Sequence, residues 1–395
     1  MDTKLSNCHD AKMSSSPRKS PRTSGKSARK IRYAVVGLGH IAQVAVLPAF
    51  KNAKNSELAA LVSGDPEKQK KLGRKYGIDR IYSYEEFEEC LQHDIDAVYI
   101  TLPNHLHREY AVRAAKAGVH VLCEKPMAPT QQDCQAMIDA AESNNLRLMI
   151  AYRLHFEKAN LEAIRLAETG RLGDLRFFGS EFAQQVDPEN VRLTVPLEQG
   201  GGPVYDMGVY CINAVRYLFR AEPTEISAFS ANNGESRFQR TDEMTSVVMR
   251  FPEERLATFT CSFGASPVSQ YTLVGTKGSL VADPAYDYSV PLVQRLTINE
   301  KTKTRKFPKR DQFAPELVYF SDCILNHKEP EPSGYEGLAD VRIVEAIYES
   351  ARTGKKVALA PVPKKRRPTP EQEIRRPGHG LPKTVNAKSP SGEAA

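Results

Sequence analysis

The chain has 395 residues, 41% hydrophobic and 26% charged, the balance of an ordinary globular protein, and its length suits two or three domains at about 100–200 residues each. No apolar run approaches the ~18 residues of a membrane-spanning helix, and the absence of tryptophan excludes any site built on an indole. The net charge of +7 sits at the ends: residues 1–32 hold nine Lys/Arg against two Asp, residues 361–395 eight Lys/Arg against three Glu, and the body between them is acidic.

Residues 1–30 are rich in Ser, Pro, Lys and Arg and cannot bury enough apolar surface to offset ordering, so they read as a disordered basic arm. Residues 361–395, with Pro361, Pro363, Pro368 and Pro370 and a Lys/Arg run, read as a disordered basic tail. The arm has no apolar core of a secretory signal. The seven cysteines contain no C-x-x-C pair, which argues against a disulfide framework and a zinc site. The expectation is a cytoplasmic protein with no metal and no membrane contact. The basic ends lack the interleaved aromatics of a nucleic-acid surface.

Order is expected to begin at Ile31. Ile31–Val36 reads as a buried strand, then a glycine turn, then a helix to about Lys51. Leu58–Val62 is the next strand. Asp65-Pro66 looks like a cap and first turn of a helix that Gly77 ends, and Ser83-x-x-Glu86 is a possible capping box. Strands at Ala97–Thr101, Val119–Cys123 and Arg147–Ala151 alternate with helices, so residues 31–151 read as a parallel sheet covered on both faces. From Leu175 the pattern changes to alternating runs: Leu175–Ala183, Glu225–Ala231, Thr245–Phe251, Leu256–Phe263, Tyr271–Gly275 and Leu280–Ala282. These predict a mainly antiparallel sheet with one covered face, and helices near 204–219 and 336–353 would cover it. Residues 152–360 therefore read as an α+β domain for substrate and oligomerisation.

Three motifs carry chemistry. Gly37-Leu38-Gly39-His40-Ile41-Ala42 is a G-x-G-x-x-A turn between a strand and a helix, which suits a dinucleotide pyrophosphate on the helix N-terminus. The following strand ends at Ser63, where an NAD site would carry an acid for the ribose hydroxyls. Lys68 follows in the next helix, and a hydroxyl with a lysine suits the 2′-phosphate of NADP. Glu124-Lys125-Pro126 leaves a strand end, where ligands of open sheets bind. In the glycine-rich stretch 200–210, Asp206 and Tyr210 are four residues apart and share a helix face. Either a capping Asp with a core Tyr or a pair that binds a sugar hydroxyl fits that spacing.

Together the stretches 37–42, 101–107, 123–126, 151–153 and 200–210 resemble the glucose–fructose oxidoreductase, inositol dehydrogenase and rhizopine-catabolism (Gfo/Idh/MocA) superfamily, over about 31–357. Within it the chain is most similar to the glucose–fructose oxidoreductase branch, having Tyr210 where many members have His. The resemblance implies an N-terminal Rossmann dinucleotide-binding domain, followed by an α+β domain whose large open-faced sheet makes a homo-oligomer, a dimer or tetramer. It implies that Gly37, Leu38, Gly39, His40, Ile41 and Ala42 hold the NADP pyrophosphate. Ser63 and Lys68 face its 2′-phosphate, and Pro103, Asn104, His107, Glu124 and Arg153 line its cleft. Lys125 and Tyr210 act on the substrate hydroxyl, while Asp206, Arg153 and Arg192 orient the sugar; His105, His107 and His155 are weaker candidates, a structural role being the alternative for His107. The implied activity is oxidation of a cyclic aldose at C1 to a lactone, with the hydride passed to a second sugar. An aldose dehydrogenase or keto-sugar reductase with exchangeable cofactor is the alternative within the chemistry. A non-catalytic dinucleotide-binding regulator is the alternative of another class, and the intact Lys125, Asp206 and Tyr210 set argues against it.

Overall fold

The computed structural model describes residues 29–362 and 366–392, so the expected arm over 1–30 falls almost wholly outside the described residues. Six strands, β1 (Ile31–Val36), β2 (Ser56–Val62), β3 (Ile81–Tyr82), β4 (Ala97–Ile100), β5 (His120–Glu124) and β6 (Leu148–Ala151), pair in parallel in the order β3-β2-β1-β4-β5-β6. This is a doubly wound arrangement, with the chain reversing direction of growth at β1 and β4. β4 and β6 are buried along their whole length because helices cover both faces. The local signals behave as their chemistry requires. The Asp65 side chain accepts from the Glu67 and Lys68 N–H groups, and Gly77 closes the helix Pro66–Tyr76 at φ 68°. Ser83 and Glu86 bond each other reciprocally.

The stretch after the glycine loop is not a plain α-helix. It contains a π-helical turn, Ala42–Val46, and a second π-helical turn, Val204–Gly208, carries Asp206. Such turns widen the helix locally and occur often at functional sites. The helix Ala314–Leu325 corrects the domain division: it falls in the stretch assigned to the second domain, yet Ala314, Leu317, Phe320 and Ile324 pack into the core beneath β1. Its Ser321 hydroxyl lies 2.9 Å from the Tyr33 hydroxyl and 2.8 Å from that of Ser56.

The second sheet has nine strands: β7 (Leu175–Ala183), β8 (Glu225–Ala231), β9 (Met244–Phe251), β10 (Arg255–Ser262), β11 (Val268–Gly275), β12 (Gly278–Ala282), β13 (Leu292–Ile298), β14 (Lys301–Phe307) and β15 (Val357–Ala358), in the order β14-β13-β12-β11-β7-β10-β9-β8-β15. The three strands β13, β14 and β15 have no counterpart in the sequence reading, and β7 pairs with β10 in parallel, so the sheet is mixed. Helices Val209–Phe219 and Gly334–Thr353 cover one face, the latter wedged between β8 and the first domain's helix Gln131–Ser143. The other face leaves Phe177, Phe229, Val248 and Leu256 exposed. No helix among the described residues is long and apolar enough to cross a membrane.

The basic tail is the largest departure from expectation. Residues 366–392 run across the body instead of lying free. Arg367 donates to the Arg216 carbonyl and to Glu222, Glu373 pairs with Lys158 and Arg310, and Arg376 donates to the Asn52 carbonyl. The physical reason is that the tail brings few apolar side chains but many hydrogen-bonding ones, and the body offers matching carboxylates and carbonyls. Composition registers the first property and is blind to the second.

Candidate active site

Gly37 sits at the end of β1 with φ 94°, and a Cβ there would meet the Thr101 carbonyl oxygen at 2.9 Å. Only glycine allows that turn. A Cβ on Gly39 would meet nothing within 4 Å, so backbone is presented to the cleft without obstruction, which fits the close approach of a pyrophosphate. Leu38 is buried and Ile41 packs against the same core, so these two would serve a ligand through backbone N–H groups. At the end of β2, the Ser63 hydroxyl accepts from the Asp65 N–H at 3.2 Å, and Lys68 turns back toward Asp65, its Nζ 4.0 Å from the carboxylate. No carboxylate occupies the strand end itself. Pro103 opens the short helical turn Asn104–Leu106, and Asn104 donates to the Gly200 carbonyl at 2.7 Å, tying the cleft wall to the glycine-rich loop of the second domain.

The second domain brings its motif to this cleft. Lys125, directly after β5, donates from Nζ to the Asp206 carbonyl at 2.8 Å and lies 3.3 Å from Asp206 Oδ1. Arg192 Nε pairs with the other carboxylate oxygen at 2.6 Å. Burial works against the charge on Asp206, but the Arg192 and Lys125 cations outweigh it and hold the carboxyl below its ordinary range. Burial first, and then the charge of Arg192, hold the His40 imidazole below its usual value. Lys125 Nζ stands 4.6 Å from the centre of the Tyr210 ring. The Arg153 guanidinium lies 5.0 Å from that ring and donates to the Tyr210 hydroxyl at 3.2 Å. Lys125, Arg153, Tyr210 and Asn213 line one small cavity.

Several residues behind this group escaped the sequence reading. Arg153 is held by the Gln312 side chain and by the Tyr286 carbonyl, and it packs on the Tyr288 ring. None of these three carries a spacing signal, since they come from a loop after β12 and a turn before Ala314. The Tyr99 hydroxyl lies 3.0 Å from Glu124 Oε1 and 3.2 Å from Glu316 Oε2. Burial pushes both carboxyls up. One hydroxyl has one proton to give, so a further proton on one of the two acids satisfies the triad. Glu316 comes from the helix Ala314–Leu325, which no motif marks.

Two histidines are structural. His107, expected in the cofactor cleft, is fully enclosed, with Nδ1 3.0 Å from the Pro126 carbonyl oxygen and Nε2 2.8 Å from that of Leu102. That leaves no group to offer a ligand, so the assignment is corrected: His107 pins the Leu102 loop to the Lys125-Pro126 turn. His155 bridges Glu331 at 2.7 Å and Asn213 at 2.8 Å. Asn213 in turn donates to Glu336 and Asp340, Tyr152 donates to Asp340 at 2.7 Å, and Arg216 pairs with Glu336, Asp340 and Glu222. This buried network joins the segment bearing Arg153 to the helix bearing Tyr210, and so fixes the two against each other.

Comparison with known proteins gives a consistent neighbourhood. A family model for an oxidoreductase family with an NAD-binding Rossmann fold, GFO_IDH_MocA, matches residues 31–152, and the GFO/IDH/MocA C-terminal domain model matches residues 160–281. The chain is 31% identical to a D-xylose 1-dehydrogenase [NADP(+)] of Haloarcula marismortui over 83% of this chain and 93% of the relative. It is 29% identical to D-xylose 1-dehydrogenase (NADP(+)) 2 of Haloferax volcanii over 83% of this chain and 99% of the relative. Among solved structures, the aldose-aldose oxidoreductase of Caulobacter crescentus in complex with glycerol superposes with a TM-score of 0.80 at 39% identity, covering 84% of this chain and all of that one.

Proposed function

The chain belongs to the Gfo/Idh/MocA oxidoreductase family, and on that premise we propose that it is an NADP-dependent enzyme that oxidises a cyclic aldose at C1 to a lactone and passes the hydride to a second sugar. The observation that carries the reading is the meeting of Lys125, Arg153, Asp206 and Tyr210 at the C-terminal strand ends of the first sheet. The similar xylose dehydrogenases and the aldose-aldose oxidoreductase support an aldose as substrate. Ser63 and Lys68, with no acid at the end of β2, support NADP.

Bound NADP supplies the hydride acceptor for the first sugar and, once reduced, the donor for the second. The protein's part is proton transfer and orientation. Tyr210 acts as the phenolate, whose negative charge is met by the Arg153 donor and by the Lys125 cation over the ring; its oxygen takes the proton of the C1 hydroxyl and becomes the neutral phenol as the hydride leaves C1. The Lys125 ammonium spends two of its three N–H donors on Asp206, leaving one for the sugar hydroxyl. Asp206, kept ionised by Arg192 and Lys125, accepts from a neighbouring sugar hydroxyl. The exposed Phe177, Phe229, Val248 and Leu256 support a homo-oligomer through the open sheet face.

The test is the nicotinamide absorbance of the purified protein. On this reading it survives gel filtration, rises when an aldose is added and falls when a second, reducible sugar follows. A protein that elutes bare and turns over only with added NADP is an aldose dehydrogenase with exchangeable cofactor.

A further inference from the structure

We propose that the C-terminal segment from Lys383 to Pro390 is part of the cofactor site: a strap that crosses the dinucleotide cleft and retards release of the bound cofactor. This rests on the reading of the cleft as an NADP site. The strap is anchored first on the glycine loop. Gln43 donates from Nε2 to the Val385 carbonyl at 2.8 Å and accepts from the Val385 N–H at 2.7 Å. The same Nε2 donates to the Leu38 carbonyl at 2.9 Å, so the side chain that braces the glycine loop also holds the strap. One residue on, Asn386 Nδ2 donates to Asp65 Oδ2 at 3.0 Å and to Glu67 Oε2 at 2.9 Å. The strap therefore touches the first turns that follow β1 and β2, and a dinucleotide in an open α/β sheet lies across those two strand ends.

The chain then leaves the first domain for the second. Lys388 Nζ pairs with Glu189 at 3.2 Å, and the Pro390 carbonyl accepts from the Asp187 N–H at 2.9 Å. Asp187 and Glu189 lie just before Arg192, which pairs with Asp206 in the active site. Asn386 and Pro390 are four Cα steps apart, a reach of at most about 14 Å, so both lips of the cleft are joined by a short span. The span has a turn of its own: Asn386 adopts φ 46°, and the Thr384 hydroxyl donates to the Ala387 carbonyl at 2.6 Å. Upstream, His379 and Leu381 close a small cavity with Val44, Ala45 and Tyr288, so the approach from that side is covered too. From Lys383 to Pro390 the strap carries two lysines and no acid, which suits a ligand whose phosphates are all negative. A cofactor held beneath it can leave only when the Gln43, Asn386 and Asp187 bonds have opened, and these contacts act on the release rate.

The experiment compares the full chain, a chain ending at Pro382, and the full chain with Asn386→Ala. Each is loaded with NADPH, and in parallel with NADH, and chased with excess oxidised cofactor while nicotinamide fluorescence is followed. The expected result is release at least ~10-fold faster from the shortened chain, about 1.4 kcal/mol in rate, with Asn386→Ala in between. Thermal midpoints of the cofactor-free proteins report whether the shortened chain folds. If it does not, Asn386→Ala and Lys388→Ala decide the matter by the same chase. Equal release rates in the folded variants overturn the strap. If the wild type binds NADH and not NADPH, the choice of cofactor fails alone, and the NADH chase still reads the strap.

Discussion

Arg153 donates to the Tyr210 hydroxyl at 3.2 Å across 57 positions of sequence, and its guanidinium stands 5.0 Å from the same ring. The contact joins the segment after β6 to the helix Val209–Phe219, and with Lys125 it places two cations about one phenol. On the proposed mechanism, proton transfer at Tyr210 would depend on three residues acting together. Tyr210→Phe removes the proton acceptor and keeps the ring. Lys125→Met and Arg153→Met each remove one charge. Each change is expected to slow single-turnover reduction of NADP by about 10²–10⁴-fold while cofactor binding survives. The losses in a Lys125→Met/Tyr210→Phe double variant should be far from additive. Near wild-type transfer by Tyr210→Phe moves the base elsewhere, to Asp206 or His105.

Cofactor choice is tested at the end of β2. Ser63→Asp puts a carboxylate where the 2′-phosphate would lie and offers it to the ribose hydroxyls of NAD. A binding titration should show weaker NADP and stronger NAD. Unchanged affinity for both would place the 2′-phosphate away from Ser63.

The Arg192–Asp206 pair carries a pH signature. The folded carboxyl is held below its ordinary value, so the ion cluster is intact above the unfolded range near ~3.9 and is lost only as pH falls through the lower folded value. The acid limb of kcat/KM in the wild type should therefore owe nothing to Asp206 above that range. Arg192→Met removes a lowering influence, so an acid limb from Asp206 should move to higher pH. A profile identical to wild type would show that Arg192 does not tune this carboxylate.

Arg216 is buried in contact with Glu222, Glu336 and Asp340. Arg216→Met leaves those carboxylates without their main cation and should cost about 3–5 kcal/mol of stability in denaturant unfolding. Since the same network fixes Arg153 against Tyr210, activity under folding conditions should fall as well. A loss of only a few tenths of a kcal/mol would mean that Arg367, which also pairs with Glu222, holds the cluster by itself.

The open sheet face is tested with Phe229→Lys. Phe229 is 78% exposed on the same open sheet face as Val248 and Leu256, and a charge there should break a homo-oligomer, read as a smaller particle by light scattering. A wild type that is already monomeric removes the proposal.

Short-range chemistry was legible from the residues alone. A glycine turn between a strand and a helix, a proline after a capping Asp, and alternation of apolar residues act over a few positions, and the structure keeps the corresponding elements: β1, the helix Pro66–Tyr76 and β7. The meeting of Lys125 with Asp206 and Tyr210 was reached only through the family resemblance, because nothing in their spacing brings positions from two domains together. Tertiary structure alone decided what surrounds them. Gln312 reaches Arg153, and Glu316 reaches the Tyr99 hydroxyl shared with Glu124, because the helix Ala314–Leu325 returns to the first domain, while Tyr286 meets Arg153 from the loop after β12; no periodicity announces either approach. His107 looked like a ligand by its place in a motif and became a brace once both nitrogens met carbonyls. The tail shows the difference most plainly. Its composition forecasts disorder because it buries little apolar surface, but Gln43, Asp65, Glu222 and Asp187 on the folded body supply the partners its polar groups lack when the tail is considered alone. Order that depends on a preformed surface is invisible in the segment that becomes ordered.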